Sequence, residues 1–107
     1  ILGIMADKDI AGIMKPLLPL ASEIIMAAPE YERAASPEKL SEIARFFGYN
    51  SITARSLKEA IDIAAGKAMT SSQSKGLIVI TGSFYTIGDA KIALGNKGIL
   101  TTLRESR

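Results

Sequence analysis

The chain has 107 residues, of which 48% are hydrophobic and 22% charged, with no cysteine and no histidine. That composition describes one globular domain with a single core, since a chain of this size buries roughly two-thirds of the surface it exposes when unfolded; it excludes a disulfide scaffold, the commonest zinc and thiol sites, and histidine as general base. Thirteen Lys and Arg against eleven Asp and Glu leave a net charge of +2, and because the cations mostly alternate with acids and few aromatics lie between them, the pattern does not describe a nucleic-acid-tracking surface.

The chain opens inside an apolar run, Ile1-Leu2-Gly3-Ile4-Met5, without an initiator Met, and is read as a fragment of a longer protein. No apolar run reaches the roughly 18 residues that span a bilayer, and no charged segment precedes a small-residue cleavage site. The expected location is the cytoplasm.

Short apolar runs alternate with segments of helical period, the pattern of a parallel sheet covered by crossover helices. Strands are expected at Leu2 to Met5, Glu23 to Ala27, Ser51 to Ala54 and Leu77 to Thr81. The first, second and fourth are apolar on both faces and read as buried strands, while the polar third reads as an edge. The first helix starts at Asp9, whose carboxylate caps free N–H groups, and carries Ile10, Ile13, Met14, Leu17 and Leu18 on one stripe. Pro16 should kink it or end it early, and Pro19 stops continuation beyond Leu18.

The second helix is punctuated by Ser36 as N-cap, Pro37 at the first position and Gly48 past the end, with Leu40, Ile43, Ala44 and Phe47 inward. Ser56 and Glu59 form an S-x-x-E capping box ahead of Leu57, Ala60, Ile61, Ala64 and Ala68, so a third helix runs to about Met69. The polar stretch from Thr70 to Gly76 turns the chain into the fourth strand. A last helix follows Gly82-Ser83, bearing Phe84, Ile87, Ala90 and Leu94 and stopping at Gly95. Gly88 within it costs about 1 kcal/mol against Ala. The mildly basic end, from Lys91 to Arg107, is expected to fray. The expected fold is Rossmann-like: a three-layer α/β/α domain with a mainly parallel sheet, lacking one or more strands at its amino-terminal side.

Ligands of open α/β sheets bind outside the carboxyl ends of the strands, which singles out three sets of residues. Ala6-Asp7-Lys8-Asp9 offers two carboxylates and an ammonium for a phosphate, a metal or a substrate amine, or equally a helix cap beside a solvated ion pair. Pro29-Glu30-Tyr31-Glu32-Arg33-Ala34 contains Arg33, whose guanidinium is shaped to grip a carboxylate at two points or simply to sit in water. Thr81-Gly82-Ser83-Phe84-Tyr85 ends a strand and starts a helix, leaving backbone N–H groups and a hydroxyl for an anion, unless Ser83 only caps the helix. There is no G-x-G-x-x-G and no P-loop: Gly66-Lys67-Ala68 is helical and lacks the following Ser or Thr.

Gly3-Ile4-Met5-Ala6-Asp7-Lys8-Asp9, Arg33-Ala34 before a helix, and Ile80-Thr81-Gly82-Ser83-Phe84-Tyr85-Thr86-Ile87-Gly88 occur in that order. Together they resemble the C-terminal domain of folylpolyglutamate synthase and the bifunctional dihydrofolate synthase, in the Mur ligase superfamily. The resemblance covers nearly the entire chain. It implies that residues 1–107 are the amino-acid-binding C-terminal domain of an ATP-dependent ligase. The P-loop domain and the D-G-A-H-N-P segment expected upstream of Ile1 are missing, as truncation would leave them.

The family's chemistry implies that ATP activates a carboxylate of dihydropteroate or a folate as an acyl phosphate, which the amine of L-glutamate attacks to form an amide. ATP and Mg2+ would be bound mainly outside this fragment, by the central ATPase domain of the same chain. Arg33 matches an amino-acid-binding arginine and Ser83 a serine near incoming glutamate. Asp7, Lys8, Gly82 and Tyr85 face the cleft in roles the resemblance does not fix. No catalytic group and no metal ligand is assigned to this domain, and the isolated fragment is expected to be inactive. The family's sheet order places the last strand beside the first, so that Asp7 and Ser83 flank one crevice. The unpaired edge left by truncation is expected to drive self-association, or to be covered by another segment of the chain. No nucleic acid or membrane is implied. The competing reading is a non-catalytic receiver-like or small-ligand α/β module, with Asp7, Asp9 and Thr81 as a loose phosphoacceptor set; a third is a plain nucleotide-binding Rossmann domain.

Overall fold

The computed structural model describes residues 1–70 and 76–95. The polar turn expected through 71–75 and the basic end from 96 onward lie outside the described residues. The elements are α1 (Ile10–Leu17), a 3-10 turn (Leu18–Leu20), β1 (Ile25–Met26), α2 (Pro37–Phe46), β2 (Ile52–Thr53), α3 (Leu57–Thr70) and α4 (Phe84–Ala93).

β1 pairs parallel with β2, Ile25 opposite Ile52. On the other side of β1 the ladder continues into the amino-terminal segment, through Leu2 N to Ile25 O and Ala27 N to Leu2 O, both 2.9 Å. That segment in turn receives residues 79–81 on its far side: Thr81 N donates to Ile1 O at 3.0 Å and Gly3 N to Thr81 O at 3.2 Å. Single parallel bridges join Leu2 to Met26 and to Thr81. The order across the sheet is therefore β2, β1, residues 1–3, residues 79–81. The first and last extended segments of the chain lie side by side, and the direction of winding reverses between them. In an open α/β sheet this is the switch point where a crevice opens above the carboxyl ends of the strands.

Alternation along β1 divides the core into two layers. Met26, with Leu2 and Ile4, packs against Ile10, Met14, Leu18, Leu40 and Ala44 of the α1 and α2 side. Ile25 and Ala27 pack against Leu57, Ala60 and Ala90 of the α3 and α4 side. The three-layer α/β/α arrangement with a small parallel sheet matches the sequence expectation. So does the capping. Ser36 Oγ accepts from Lys39 N at 3.1 Å, Ser56 Oγ from Glu59 N at 3.0 Å, and Asp9 Oδ1 from Gly12 N at 3.1 Å. Glu59 reaches one residue further back than a capping box does, accepting from Arg55 N rather than from the Ser56 cap, at 3.0 Å, and the Arg55 guanidinium beside it holds its carboxyl below the usual range.

Pro16 falls in the last turn of α1, where it removes one terminal bond rather than breaking the ladder, and the helix tightens into the 3-10 turn that contains Pro19.

Three expectations are corrected. The regular strands are two residues long where four or five were expected, because the first and fourth segments touch their neighbours through single bridges. The segment from Leu77 to Thr81 is not buried on both faces: Leu77 is 87% exposed and Val79 57%, since it forms the outer edge of the described sheet. The inward face of α4 is Thr86 and Ala90, not Phe84, Ile87 and Leu94, which are exposed. A buried hydrogen bond sets that rotation, Thr86 Oγ1 donating to Gly3 O at 2.7 Å.

Candidate functional site

The three sets of residues singled out in the sequence meet around the switch point. After its strand, the chain at 4–6 turns to pair antiparallel with residues 33–35: Ala6 N donates to Arg33 O at 2.7 Å and Ala35 N to Ile4 O at 2.9 Å. The Asp7 turn and the Arg33 loop are thereby locked together through backbone. The same loop is fastened to α4, where Glu30 N donates to Asp89 Oδ2 at 2.6 Å.

Gly82 links the last strand to α4 with φ at +122°, and a Cβ there would drive into the backbone of Gly3. Only a glycine lets the two chains pass so closely. Ser83 follows as N-cap, its Oγ accepting from Thr86 N at 3.0 Å and lying 2.8 Å from Thr86 Oγ1. The proton in that second contact has one place to be. Gly3 O only accepts, so the Thr86 proton is spent on it; Ser83 must then donate its own proton to Thr86 Oγ1. With its proton used and one lone pair on Thr86 N, Ser83 Oγ retains a single lone pair for a ligand. It suits an N–H donor rather than a carboxylate.

Arg33 is exposed, and its Nε and Nη2 donate to the Tyr31 hydroxyl at 3.1 and 2.6 Å. Its Cζ lies 5.3 Å from the centre of the same ring. The Tyr31 ring stacks on Tyr85 of α4, centroids 3.8 Å apart and planes 9° from parallel. Asp7 acts electrostatically on both Arg33 and Tyr31. The structure therefore joins Arg33, Tyr85 and Asp7 in one cluster and sets Gly82 and Ser83 at the start of the helix that carries Tyr85. Lys8 is exposed in the Asp7 turn. Asp9, by contrast, is occupied in capping α1, and among the described residues no group of three His, Cys, Asp or Glu is placed to hold a metal ion.

The member missing from the sequence reading is Tyr31. Its signal was a second aromatic two residues before Arg33, which acquires meaning only with Tyr85 beside it. The two phenols influence each other in opposite directions. The Tyr85 hydroxyl, and after it Arg33, pushes Tyr31 below the ordinary phenol range, while the Tyr31 hydroxyl pushes Tyr85 above it. In a pH titration followed through carbon-labelled tyrosine rings by NMR, Tyr31 should lose its proton well before Tyr85. A depressed phenol favours the native state as pH rises and a raised one disfavours it, so the two oppose each other in the alkaline range. Tyr85→Phe should raise Tyr31 toward its ordinary value, with Arg33 still holding it down; if Tyr31 titrates no earlier than Tyr85, the hydroxyl arrangement is wrong.

A shallow depression of about 400 Å³ lies beside this cluster, lined by Ile13, Thr81, Gly82, Ser83, Phe84 and Ile87. A larger hollow of about 640 Å³ lies toward the amino ends of the strands, among Leu18, Ile24, Leu77 and Ile78. It is mainly apolar, and none of Asp7, Tyr31, Arg33, Ser83 or Tyr85 lines it.

Among proteins of curated function, a dihydrofolate synthase/folylpolyglutamate synthase of Mycobacterium tuberculosis is 33% identical over 110 residues, covering 89% of this chain. One of the same name from Buchnera aphidicola subsp. Acyrthosiphon pisum is 32% identical over 89 residues, covering 83%. Among solved structures, the Mycobacterium tuberculosis folylpolyglutamate synthase complexed with ADP and AMPPCP superposes with a TM-score of 0.77 at 33% identity, over 88% of this chain. A second structure of that synthase, complexed with ADP, gives a TM-score of 0.78 at 32% identity. The chain is a homologue of dihydrofolate synthase/folylpolyglutamate synthase. It spans about a fifth of the length of these synthases. No protein-family profile matches it. Among its described residues no helix is long and apolar enough to cross a membrane.

Proposed function

We propose that residues 1–107 form the C-terminal, amino-acid-binding domain of an ATP-dependent ligase that joins L-glutamate to dihydropteroate or a folate. What supports this reading is agreement of sequence and fold with one and the same enzyme across nearly the whole chain. In it, ATP converts the acceptor's carboxylate to an acyl phosphate, and the glutamate amine displaces phosphate to leave an amide. This domain's task is orientation. Holding the amine in line with the acyl carbon lowers the barrier through proximity.

Arg33 takes a glutamate carboxylate through a charge-assisted pair. Ser83 offers a lone pair to the glutamate nitrogen, the polarity its hydroxyl chain dictates. Asp7 and Lys8 line the same crevice. ATP belongs mainly to a central ATPase domain of the longer chain. The donors among the described residues do not fit a dedicated Mg2+ site, and no step assigned to this domain passes through the metal.

The receiver-like alternative loses support because Asp9 is used as a cap and, among the described residues, Asp7 has no companion carboxylates that would form a metal-binding triad. The test is transfer of labelled glutamate by the full-length protein to dihydropteroate and to folate acceptors, with the 107-residue chain alone as comparison. Glutamate incorporation by the former and no ATP turnover by the latter is the expected result. Joining of a different amino acid, or amide formation by the chain alone, would overturn it.

A further inference from the structure

We propose that Tyr31 is a positioning residue, which grips one edge of the Arg33 guanidinium and aims the other edge at the glutamate carboxylate. This rests on the reading of Arg33 given above and adds the group that makes it effective. Arg33 stands on an exposed loop, where a free arginine carries rotamer entropy that binding would have to overcome. Here that freedom is already restricted. The guanidinium is planar, and Nε with Nη2 forms one of its two bidentate edges. Both of those nitrogens are on the Tyr31 hydroxyl, so the edge formed by Nη1 with Nη2 is directed away from the phenol. An arginine can hold a phenol by its side and a carboxylate by its end at the same time.

Tyr31 can serve as an anchor because it is itself held. Its ring lies flat on Tyr85. Its loop is closed by Tyr31 N to Pro29 O at 2.8 Å and Ala34 N to Tyr31 O at 3.0 Å, and is tied to α4 through Glu30 and Asp89. The support thus runs from α4, an element packed on the sheet through Ala90 and Thr86, by way of Tyr85 to Tyr31 and on to Arg33. The groups facing the guanidinium are the two phenols and the Asp7 carboxylate. None of the three is a cation, so all favour the charged state that binding requires.

The test uses the full-length ligase and steady-state kinetics. Tyr31→Phe keeps the ring on Tyr85 and removes only the acceptor, and should raise the glutamate KM roughly three- to tenfold, with kcat and the KM for ATP unchanged. Tyr85→Leu, which removes the ring on which Tyr31 rests, should raise the glutamate KM as well. In the Arg33→Ala background, Tyr31→Phe should have no further effect, since a residue acting through another loses its influence when that other is gone. An independent, merely structural tyrosine would give additive losses and a lowered melting temperature instead, and that result would overturn the inference. So would a fall in KM for Tyr31→Phe, which would make the phenol a competitor of the substrate. If Arg33→Ala raises the KM and Tyr31→Phe does not, this inference fails while the assignment of Arg33 stands; if neither moves it, both fail.

Discussion

Replacing Arg33 by Ala in the full-length ligase should raise the KM for glutamate about ten- to hundred-fold, the equivalent of one charge-assisted hydrogen-bonded pair at about 1.5–3 kcal/mol. The loss should be selective. The guanidinium sits in a loop fixed to α4 and to the Asp7 turn, and its own contacts are with a half-buried phenol outside the core, so removing it leaves the core clusters untouched. The KM for ATP and for the folate acceptor should change little, because the proposed domain holds neither the phosphate-binding loop nor the acceptor pocket. Ser83→Ala should act in the same direction at a higher cost to the fold, since it also strips α4 of its cap, typically about 1 kcal/mol. The two variants therefore separate in a melt: Arg33→Ala should unfold near the wild-type temperature and Ser83→Ala several degrees below it. Unchanged glutamate kinetics in Arg33→Ala, or damage to ATP binding first, would return Arg33 to the status of a solvated loop arginine.

Helices with local punctuation were legible before the structure. α2 has its start written in Ser36-Pro37 and its stop in Gly48, and α3 in Ser56 and Glu59, because caps are contacts between residues three apart. What escaped depends on contacts distant in sequence. The rotation of α4 is set by Thr86 reaching Gly3, and nothing near Thr86 announces that partner; the apolar residues Phe84 and Ile87 instead mimic an inward stripe. The exposure of Leu77 and Val79 escaped for a related reason, since a run of β-branched and aliphatic residues reads the same at the middle of a sheet and at its edge.

The candidate site divides along the same line. Asp7, Arg33 and Ser83 were visible as polar residues following strands, a rule of topology that requires no knowledge of distances. Their mutual arrangement was not. Tyr31 lies in a loop and Tyr85 in the first turn of α4, and only the backbone lock between residues 4–6 and 33–35, together with the close passage of Gly82 over Gly3, brings their rings face to face. Ser83 shows how the structure narrows a reading: the sequence gives a hydroxyl that can donate or accept, and the buried Thr86–Gly3 contact leaves it only able to accept.

Gly82 and Gly88 should respond to the same substitution with opposite sign. At Gly82 the backbone has φ of +122°, a region that L-residues rarely enter, and a methyl group would collide with the backbone of Gly3 in the neighbouring segment. The conformational strain alone is about 1–3 kcal/mol. The collision adds to it, because its target is main chain in the sheet rather than the tip of a flexible side chain, so relief means pulling residues 79–81 away from 1–3. A total near 3 kcal/mol should lower the melting temperature of this domain by roughly 10 °C or more. At Gly88, five positions beyond the Ser83 cap within a regular helix, a methyl group meets nothing within 4 Å. Gly88→Ala should therefore stabilise by about 0.5–1 kcal/mol, the usual difference between the two residues in a helix interior. Thermal melts of both variants decide the matter. A Gly82→Ala protein as stable as the parent would mean that the strand-to-helix turn does not pass over Gly3 as described, and the switch point where residues 79–81 adjoin residues 1–3 would lose its geometric basis.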